Sequence, residues 1–523
     1  MELLCRERTL LLPVRSGKPC QTLSFYKEDT LVLDLKVALD PQSPEYFASY
    51  SIERFEGQTL RVECENGACF DLRQTSEPVE RIPADEVFRP AVHFSAPQGW
   101  INDPNGLVFY QGVYHLFYQH NPVERIWNNM HWGHATSRDL VHWSDKGDVL
   151  FPDEMGSMFS GSAIIDTQNR LCLKENDYDP IILFYTAAGD STLLSKDNPY
   201  VQCIAYSTDG GETFRKYGKN PVLTQLVPFN RDPKVVFYKD TATYIMSLYL
   251  TDDRYALLHS ENLTVWEQTD ELTLEGDNEC PDFYPLTDDK GQTKWVFSGA
   301  SDRYQIGRFD GKHFVPETET RTFSHGFGYA SQTWHGTGER VLRISWNRAP
   351  LAAASFDKCM TIPVELAIRT FADGQRLCAY PASEIDSCRR MLYTEEELLL
   401  SEEQPFTCNA CGKAFDLTLE LCVESTATIT LGGHCFTIDG TEKKLLCGET
   451  ALSLPETEML SVRAIFDTAG VEVFLNGGEA YLIGACAADK NAKGLCIQTK
   501  GQTRLQKLAL YTLEGASGGI ENE

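Results

Sequence analysis

The sequence predicts an all-β protein, in which a β-propeller of about five blades lies between an N-terminal β domain and a C-terminal β-sandwich. Three observations predict this architecture. Residues 88–383 contain many short β runs, frequent Gly, Asp and Asn turns and no convincing long helix. The same region contains a loose repeat of a polar turn followed by an aromatic residue. Both ends of the chain show the period-two alternation of half-buried strands.

The repeat in the middle of the chain has roughly the period of a propeller blade. Its closing aromatic residues are Trp143, Phe214, Trp266 and Phe314, and the steps between them are 71, 52 and 48 residues. Steps of this length are near that of one four-stranded blade, which favours a propeller of about five blades. A generic all-β domain with common Ser-Asp turns is the alternative that the repeat alone leaves open.

The N-terminal part of the chain predicts a separate β domain. Residues 1–88 contain short alternating strands, such as 30–35 and 60–64. Residues 74–85 are polar and contain two prolines, so we expect a linker there before the propeller at 89–383.

The C-terminal part predicts a helix and a sandwich. Residues 384–404 are rich in Glu, Leu and Arg, and we expect them to form a linker helix. Residues 405–515 alternate with period two, and Asn476-Gly477 is a tight hairpin signal, so they predict a β-sandwich. The last residues, 516–523, predict a frayed tail.

Composition and charge restrict the partners. The net charge of −28 disfavours nucleic acid and anionic membranes, and it favours a neutral ligand. No apolar run approaches a membrane span or a signal-peptide core. The 17 cysteines are scattered and odd in number, which argues against a disulfide framework, so we expect a cytoplasmic protein. The sequence leaves open whether the chain forms a homo-oligomer.

Four polar positions stand in register with the repeat. They are Asp103, Ser160, Asp232 and Glu279, with steps of 57, 72 and 47 residues. Each precedes or opens an apolar strand, so a propeller would place all four at one height around its axis. Turn-starting Asp-Pro steps would explain each motif singly. The set indicates a site, because three carboxylates beside Arg231 are costly to bring together without a use.

Such a pocket supports glycoside cleavage by paired carboxylates. One carboxylate must be ionised to attack the anomeric carbon, and a second must hold a proton for the leaving oxygen. Because Arg231 adjoins Asp232 in sequence, we expect Asp232 to stay ionised as a fixed stabiliser. Glu279 is then the better acid, which leaves Asp103 as the hypothetical nucleophile.

The chain resembles glycoside hydrolase family 32, which covers invertases, sucrose-6-phosphate hydrolases, levanases, inulinases and fructosyltransferases. The resemblance runs from residue 94 to about 383 and continues more weakly beyond. The motifs that carry it are residues 100–106 (WINDPNG), 115–122 (HLFYQHNP), 130–135 (MHWGHA), 139–143 (DLVHW), 159–162 (FSGS), 231–233 (RDP) and 279–282 (ECPD).

The resemblance implies a five-bladed propeller followed by a β-sandwich, with no metal or organic cofactor. It implies retaining hydrolysis through a fructosyl-enzyme, with Asp103 as nucleophile, Asp232 as transition-state stabiliser and Glu279 as acid/base. It also implies a substrate pocket built from Asn102, Gln119, Trp127, Phe159, Ser160, Arg231 and Trp346.

Two segments depart from the family pattern. The usual Tyr-Ala-Pro-Gln is YASQ at 329–332, and the usual Gly-Trp-Met is SWN at 345–347. Both line the pocket rim in relatives, so they put the leaving-group preference in doubt. Residues 152–158 and 185–189 look more like exo-acting fructan hydrolases than sucrose-phosphate hydrolases. We therefore expect release of terminal fructose from levan- or inulin-type fructans, and from sucrose.

Other signals are set aside or remain open. Cys408 and Cys411 have zinc-knuckle spacing but no matching second pair. His131, His134 and His142 are interpreted as structural groups, and the C-terminal sandwich as packing support for the propeller. The open alternatives are an invertase or sucrose-6-phosphate hydrolase, a fructosyltransferase with the same three acids, a catalytically dead carbohydrate-binding propeller, and a propeller glycosidase for arabinose or xylose polymers.

Overall fold

The computed structural model describes residues 1–67, 72–77, 86–487 and 494–514. The N-terminal domain consists of two antiparallel sheets, with strand orders β1-β6-β3-β4 and β5-β2-β7, around one apolar core. Its strands are β1 Glu2–Leu4, β2 Thr9–Val14, β3 Gln21–Lys27, β4 Thr30–Val37, β5 Tyr46–Ser51, β6 Thr59–Cys64 and β7 Arg73–Thr75, with a 3-10 helix at Glu53–Phe55. The predicted linker therefore begins later than residue 74, because β7 pairs with β2. The rest of that linker lies largely outside the described residues.

Five antiparallel sheets follow and form the propeller blades. Blade 1 contains β8 Gly99–Tyr110, β9 Val113–Asn121, β10 His131–Ser137 and β11 Trp143–Leu150. Blade 2 contains β12 Ser157–Ile165, β13 Ile181–Ala188, β14 Val201–Ser207 and β15 Arg215–Lys216. Blade 3 contains β16 Arg231–Tyr238, β17 Thr243–Thr251, β18 Arg254–Ser260 and β19 Glu267–Thr273.

The last two blades carry extra short strands. Blade 4 contains β20 Asp282–Thr287, β21 Thr293–Ser298, β22 Arg303–Phe309 and β23 Phe314–Pro316, with β24 Arg321–Thr322 paired to β22. Strand β25, Ser324–Gly326, leaves the propeller and joins the sandwich. Blade 5 contains β26 Gly328–Thr333, β27 Leu342–Asn347, β29 Cys359–Met360, β30 Val364–Phe371 and β31 Gly374–Pro381, while β28, Phe356–Asp357, pairs in parallel with β8 of blade 1.

The ring of blades is closed by packing between neighbours. The first strand of each blade contacts the first strand of the next, and β26 of blade 5 contacts β8 of blade 1. Apolar clusters fill the spaces between successive blades, for example Phe117 of blade 1 with Tyr185 of blade 2, and Trp334 of blade 5 with Tyr114 of blade 1. The propeller predicted from the repeat is thus confirmed.

The repeat itself corresponds to the turn before the outermost strand of a blade. Ser137, Ser207 and Ser260 each end a third strand and donate a side-chain hydrogen bond to the residue two positions later, at 3.1, 2.7 and 3.4 Å. The closing aromatic residue stands at or just before the fourth strand in each copy. A side-chain turn of this kind satisfies backbone groups locally, which explains its recurrence.

The C-terminal domain is a sandwich of two sheets around a large apolar core. The strand orders are β25-β41-β40-β39-β34-β43-β32 and β33-β42-β35-β36-β37-β38. The strands are β32 Arg389–Leu400, β33 Phe406–Cys408, β34 Phe415–Val423, β35 Thr426–Leu431, β36 His434–Asp439, β37 Lys444–Cys447, β38 Thr450–Ser453, β39 Leu460–Asp467, β40 Gly470–Leu475, β41 Ala480–Gly484, β42 Leu495–Lys500 and β43 Thr503–Leu513. Asn476 and Gly477 have φ values of 49° and 67° in the hairpin between β40 and β41, as predicted. The predicted tail lies outside the described residues.

The predicted linker helix at 384–404 is wrong. Only a short 3-10 helix forms, at Ser383–Cys388, and β32 then pairs with β43 at the edge of the seven-stranded sheet. Long pairing with β43 overrides the helix propensity of the Glu- and Leu-rich segment. The same charged residues suit an edge strand, because they discourage pairing with another chain. No helix in the described ranges is long and apolar enough to cross a membrane.

A buried charge network joins the sandwich to the propeller. His93, which precedes β8, lies 2.9 Å from Asp467 and 2.9 Å from Glu472 of the sandwich through its two ring nitrogens. Asp467 also accepts the backbone N–H groups of Ala91 and Val92 at 2.9 Å. Burial alone would lower the pKa of His93, but the hydrogen bonds to Asp467 and Glu472 raise it to about 10.

Replacing His93 by glutamine is expected to destabilise the protein by about 3–5 kcal/mol at neutral pH, because it leaves two buried carboxylates without their cation. The folded pKa of His93 lies above its ordinary value of 6.5. The contribution of protonated His93 to the stability of the fold is therefore fully present below pH 6.5 and is lost as the pH rises towards 10. Thermal midpoints of wild type and His93→Gln should therefore converge between pH 7 and 10. His142→Gln, which changes a half-exposed histidine beside Asp139, is the control. An equal midpoint difference at pH 6 and pH 10 would contradict the assignment.

Candidate active site

All ten residues that the sequence singled out line one cavity of about 210 Å³ at the propeller axis. They come from blades 1, 2, 3 and 5 and from the segment before blade 4. The lining consists of Asn102, Asp103, Gln119, Trp127, Phe159, Ser160, Arg231, Asp232, Glu279 and Trp346, together with Tyr329. The roles assigned to these residues stay predictions.

The same backbone irregularity presents the side chains in four blades. The pairing register of the first strand shifts between residues 101 and 104, 158 and 161, 231 and 234, and 329 and 332. A bulge at these points re-aims side chains that a regular strand would turn to alternate faces. Asp103, Ser160 and Asp232 all lie within these shifts, which is why they reach the same cavity.

Left-handed backbone occurs at the acid in the first strand of blade 3 and at the acid that precedes blade 4. Asp232 has a φ of 64°, and Glu279 and Cys280 have φ values of 54° and 37°. Such conformations are costly for residues other than glycine and are retained where the surrounding structure enforces them, commonly at functional sites. The backbone conformation of Asp232 is held by a hydrogen bond from its N–H group to Thr186 Oγ1 at 2.9 Å.

Asp103 is the acid of blade 1. Its Oδ2 accepts a hydrogen bond from the Ser160 hydroxyl at 2.6 Å and lies 3.4 Å from the thiol sulfur of Cys280. Burial raises the pKa of Asp103, while the hydrogen bonds from Ser160 and Asn102 act in the opposite direction and the charge of Glu279 adds to the rise. Ser160 therefore favours the ionised form that attack on a sugar carbon requires.

Asp232 is the most deeply buried acid of the three, with 5% of its surface exposed. Burial raises its pKa to about 7, against the influence of Arg231 and with help from the charges of Glu279 and Asp103. Its Oδ2 accepts the backbone N–H of Cys280 at 3.1 Å and lies 3.8 Å from Arg231 Nε. Burial therefore opposes the ionised state that the sequence predicts for Asp232, because it outweighs the guanidinium of Arg231 at this distance. The ionisation of Asp232 stays a prediction.

Arg231 instead makes its short contact with Glu279. Its Nη2 donates to Glu279 Oε1 at 2.5 Å, and its Nη1 donates to the carbonyl of Phe229 at 2.8 Å. The other oxygen of Glu279, Oε2, accepts the Tyr329 hydroxyl at 2.9 Å. With 31% of its side chain exposed, Glu279 is oriented by two partners and still open to solvent.

Cys280 lies between the two aspartates. Its sulfur is 3.4 Å from Asp103 Oδ2 and 3.5 Å from Asp232 Oδ2. Burial raises the pKa of its thiol well above the ordinary value, and the charges of Asp103 and Asp232 raise it further. The thiol is therefore protonated and serves as a weak donor between the carboxylates.

Amide and aromatic side chains complete the lining. Gln119, which is buried, donates to the carbonyl of Met158 at 2.8 Å, and Asn102 accepts the indole N–H of Trp100 at 3.0 Å. The rings of Trp127 and Phe159 meet edge to face at 5.9 Å. These contacts fix polar groups beside an apolar wall, a combination typical of small-molecule pockets.

The two departures from the family pattern contact each other. Ser345 donates to Ser331 at 2.8 Å, Ser331 donates to Asp302 at 2.6 Å, and Arg343 pairs with the same carboxylate at 2.5 Å. All four side chains are buried. The expectation that both segments line the rim holds for Tyr329 and Trp346 only. The serines instead form an internal hydrogen-bonded chain behind the pocket.

Two of the three histidines interpreted as structural, His131 and His134, are buried within hydrogen-bonded or aromatic surroundings, whereas His142 is half-exposed beside Asp139. His131 contacts the Tyr50 hydroxyl at 3.1 Å, and His134 contacts His115 at 3.0 Å. Burial lowers the pKa of His131 to about 4 and that of His134 well below the ordinary value. Both rings are neutral near pH 7, in agreement with the structural interpretation.

Sequence reasoning left out three contributors to the site, which are Tyr329, Cys280 and Thr186. Tyr329 was visible in the YASQ segment at 329–332, and Cys280 follows Glu279 directly. Thr186 carried no signal, because its role depends on blade 2 packing beside blade 3. Its hydroxyl donates to Gln202 at 2.7 Å, which leaves its oxygen oriented towards the Asp232 N–H.

Comparisons with known proteins show which family the chain resembles. The model of the glycosyl hydrolases family 32 N-terminal domain matches residues 93–381. Levanase from Bacillus subtilis (strain 168) is 30% identical over 494 residues, which are 83% of this chain and 72% of that protein. Invertase from Schizosaccharomyces pombe is 33% identical over 341 residues, which cover 58% and 57% of the two chains. The crystal structure of exo-inulinase from Aspergillus awamori superposes with a TM-score of 0.74 at 25% identity and covers 82% of this chain and 99% of that chain.

Replacing Asp232 by asparagine is expected to stabilise the protein increasingly as the pH rises. The folded pKa of Asp232, about 7, lies above the ordinary 3.8, so wild type loses stability as the pH rises through this window and the group ionises. The thermal midpoint of Asp232→Asn relative to wild type should therefore increase from pH 4 to pH 8. Asp177→Asn, which changes an exposed aspartate outside the cavity, should show no such trend. A constant midpoint difference across the range would contradict the raised pKa.

Proposed function

The chain belongs to glycosyl hydrolase family 32 and is a glycoside hydrolase of its fructosidase group, and from this premise we propose that it releases terminal β-fructofuranosyl units from fructans and from sucrose. The observation that carries the proposal is the convergence of Asp103, Asp232 and Glu279 on one small cavity. The cavity volume of about 210 Å³ is below the roughly 300–1,000 Å³ of pockets for larger ligands. A site of this size suits one terminal sugar ring, which favours exo action.

In the proposed mechanism, Asp103 attacks the anomeric carbon of the bound fructosyl unit. The bond from that carbon to the leaving oxygen breaks, and Glu279 gives this oxygen a proton. The covalent fructosyl-enzyme is then hydrolysed by water, from which Glu279 takes a proton, so the product retains its configuration. Asp103 fits the nucleophile because Ser160 stabilises its charged form.

Glu279 fits the acid/base because 31% of its side chain is exposed, so a leaving group and later a water molecule can arrive there. Arg231 and Tyr329 hold one oxygen each. Asp232, enclosed beneath them, fits a group that binds hydroxyls of the fructosyl ring and stabilises the transition state. A carboxyl with a pKa of about 7 can serve there as acceptor or as donor.

A phosphorylated sucrose is a second candidate substrate, favoured by two cations beside the cavity. The guanidinium of Arg348 lies 4.8 Å from the ring centre of Tyr329, and the ammonium of Lys358 lies 5.2 Å from that of Trp100. Lys358 is already paired with Asp357 at 3.1 Å, which makes this the weaker candidate.

The substrate class is tested by incubating the enzyme with sucrose, sucrose-6-phosphate, inulin oligomers and levan oligomers, followed by product sizing. We expect free fructose and a chain shortened by one unit from the start of the reaction. Mixed oligomers would indicate endo cleavage, and products longer than the substrate would indicate fructosyl transfer. A strong preference for sucrose-6-phosphate would favour the second candidate.

Substitution of the acids tests the mechanism. Asp103→Asn is expected to lower kcat by at least about a thousandfold, and Glu279→Gln by about 10²–10⁴-fold, with both proteins retaining the wild-type fold. Glu275→Gln, which changes an exposed glutamate nearby, should leave kcat unchanged. With methanol as acceptor, the wild type should form methyl β-fructofuranoside, detected by NMR. Full turnover by Asp103→Asn, or an inverted product, would refute the assignment.

A further inference from the structure

An arc of aromatic rings leads out of the cavity onto the surface. Phe159, in the cavity wall, meets Trp127 at 5.9 Å and Tyr200 at 5.6 Å, and Tyr200 meets Phe229 at 5.4 Å. Each contact is edge to face. The two ends of the arc are open to solvent, since Trp127 is 54% and Phe229 is 62% exposed. We call Trp127, which also lines the cavity, Tyr200 and Phe229 the aromatic rim.

Phe229 occupies a costly position at the end of this rim. Its φ is 65°, a left-handed conformation that is an outlier for a bulky residue. The buried side chain of Asn230 enforces the turn, because its Oδ1 accepts the N–H groups of Leu226 and Val227 at 2.8 and 3.2 Å. The turn brings the Phe229 carbonyl to Arg231, but folding gains little from an exposed phenyl ring there. Strain combined with exposure next to a catalytic cluster suggests that the ring has a ligand.

The N-terminal domain holds in place the two loops that position Trp127 and Tyr200. In the loop that carries Trp127, Asn129 exchanges two hydrogen bonds with the backbone of Lys36, at 2.9 and 2.8 Å. In the loop that precedes Tyr200, the N–H groups of Leu193 and Leu194 donate to Asp34 at 3.1 and 3.4 Å. Asp34 and Asn129 are both buried. The two loops are therefore fixed by hydrogen bonds with the N-terminal domain rather than left free.

Chemistry identifies what such a rim would bind. Sugar rings carry apolar C–H faces that pack on aromatic rings, and the net charge of −28 favours a neutral ligand. The rim begins at the cavity and ends at Phe229, whose carbonyl binds the same guanidinium that holds Glu279. The proposed acid protonates the leaving oxygen, so the leaving part of the substrate emerges on this side.

Resting on the proposed function, we propose that the aromatic rim is a binding subsite for the leaving-group end of the substrate, with Phe229 as a platform for a sugar ring of a fructan chain. The rim makes long substrates bind better than short ones while leaving the chemistry at the cavity unchanged. The N-terminal domain contributes to chain recognition by fixing the loops of Trp127 and Tyr200.

The test compares Phe229→Ala with wild type on methyl β-fructofuranoside, which occupies the cavity alone, and on inulin and levan oligomers, which extend over the rim. We expect KM for the oligomers to rise about tenfold, with kcat/KM for methyl β-fructofuranoside within about twofold of wild type. Phe229→Tyr, which keeps a ring, should restore the KM for oligomers. Val265→Ala, which changes a 68% exposed residue in the turn before β19, should behave as wild type.

The outcomes separate the two proposals. If the wild type cleaves none of these fructosides, the proposed function fails. If the wild type is active but Phe229→Ala changes methyl β-fructofuranoside and oligomers equally, or changes neither, the rim proposal is overturned. It is also overturned if sedimentation shows a wild-type dimer that Phe229→Ala abolishes, because the ring would then cover a second copy of the chain.

Discussion

Holding three carboxyl groups and one guanidinium in a small cavity is the constraint on which the rest of the structure depends. Burial and mutual repulsion raise the pKa values of Asp103 and Asp232, so the cluster opposes its own assembly. Carboxylates on flexible loops would move apart. Here Asp103 and Asp232 belong to different blades and Glu279 directly precedes a third, and the blades are locked into a closed ring by apolar clusters between neighbours. The stability of the ring sustains an arrangement that is locally unfavourable.

The sequence segments that carry Asp232, Glu279 and Tyr329 also form a second set of buried contacts, beneath the cavity. Lys234, two residues after Asp232, pairs with Asp282 at 3.0 Å and donates to the Thr333 carbonyl at 2.8 Å. The backbone N–H of Thr333 donates to Asp282 at 2.7 Å. This buried pair ties blades 3, 4 and 5 together directly below the acids. Removing either charge would leave the other unpaired, so the chemistry above is tied to the integrity of the axis.

Periodic features of the fold and site could be predicted from the sequence, and features that depend on packing could not. The blade spacing anticipated the shared cavity of Asp103, Ser160 and Asp232, because position along a repeat determines position around a ring. Sequence adjacency suggested that Arg231 pairs mainly with Asp232. In the structure, the guanidinium of Arg231 instead donates its short hydrogen bonds to the Phe229 carbonyl and to Glu279. The segment 389–400 has helical composition, and only the pairing of β32 with β43 makes it a strand. Contacts across blades, such as Thr186 with Asp232, leave no local pattern.

In this chain, the serines that depart from the family pattern are not the residues that line the cavity. Ser331 and Ser345 replace residues of the family pattern, yet they satisfy each other and Asp302 in the interior. Both serines adjoin residues that line the cavity, because Ser331 lies two positions after Tyr329 and Ser345 directly precedes Trp346. In our proposal, substrate preference comes from the surface that the leaving group meets, in the loops that carry Trp127, Tyr200 and Phe229. Those loops are where connecting segments vary most freely between relatives, and in this chain an additional N-terminal domain fixes two of them.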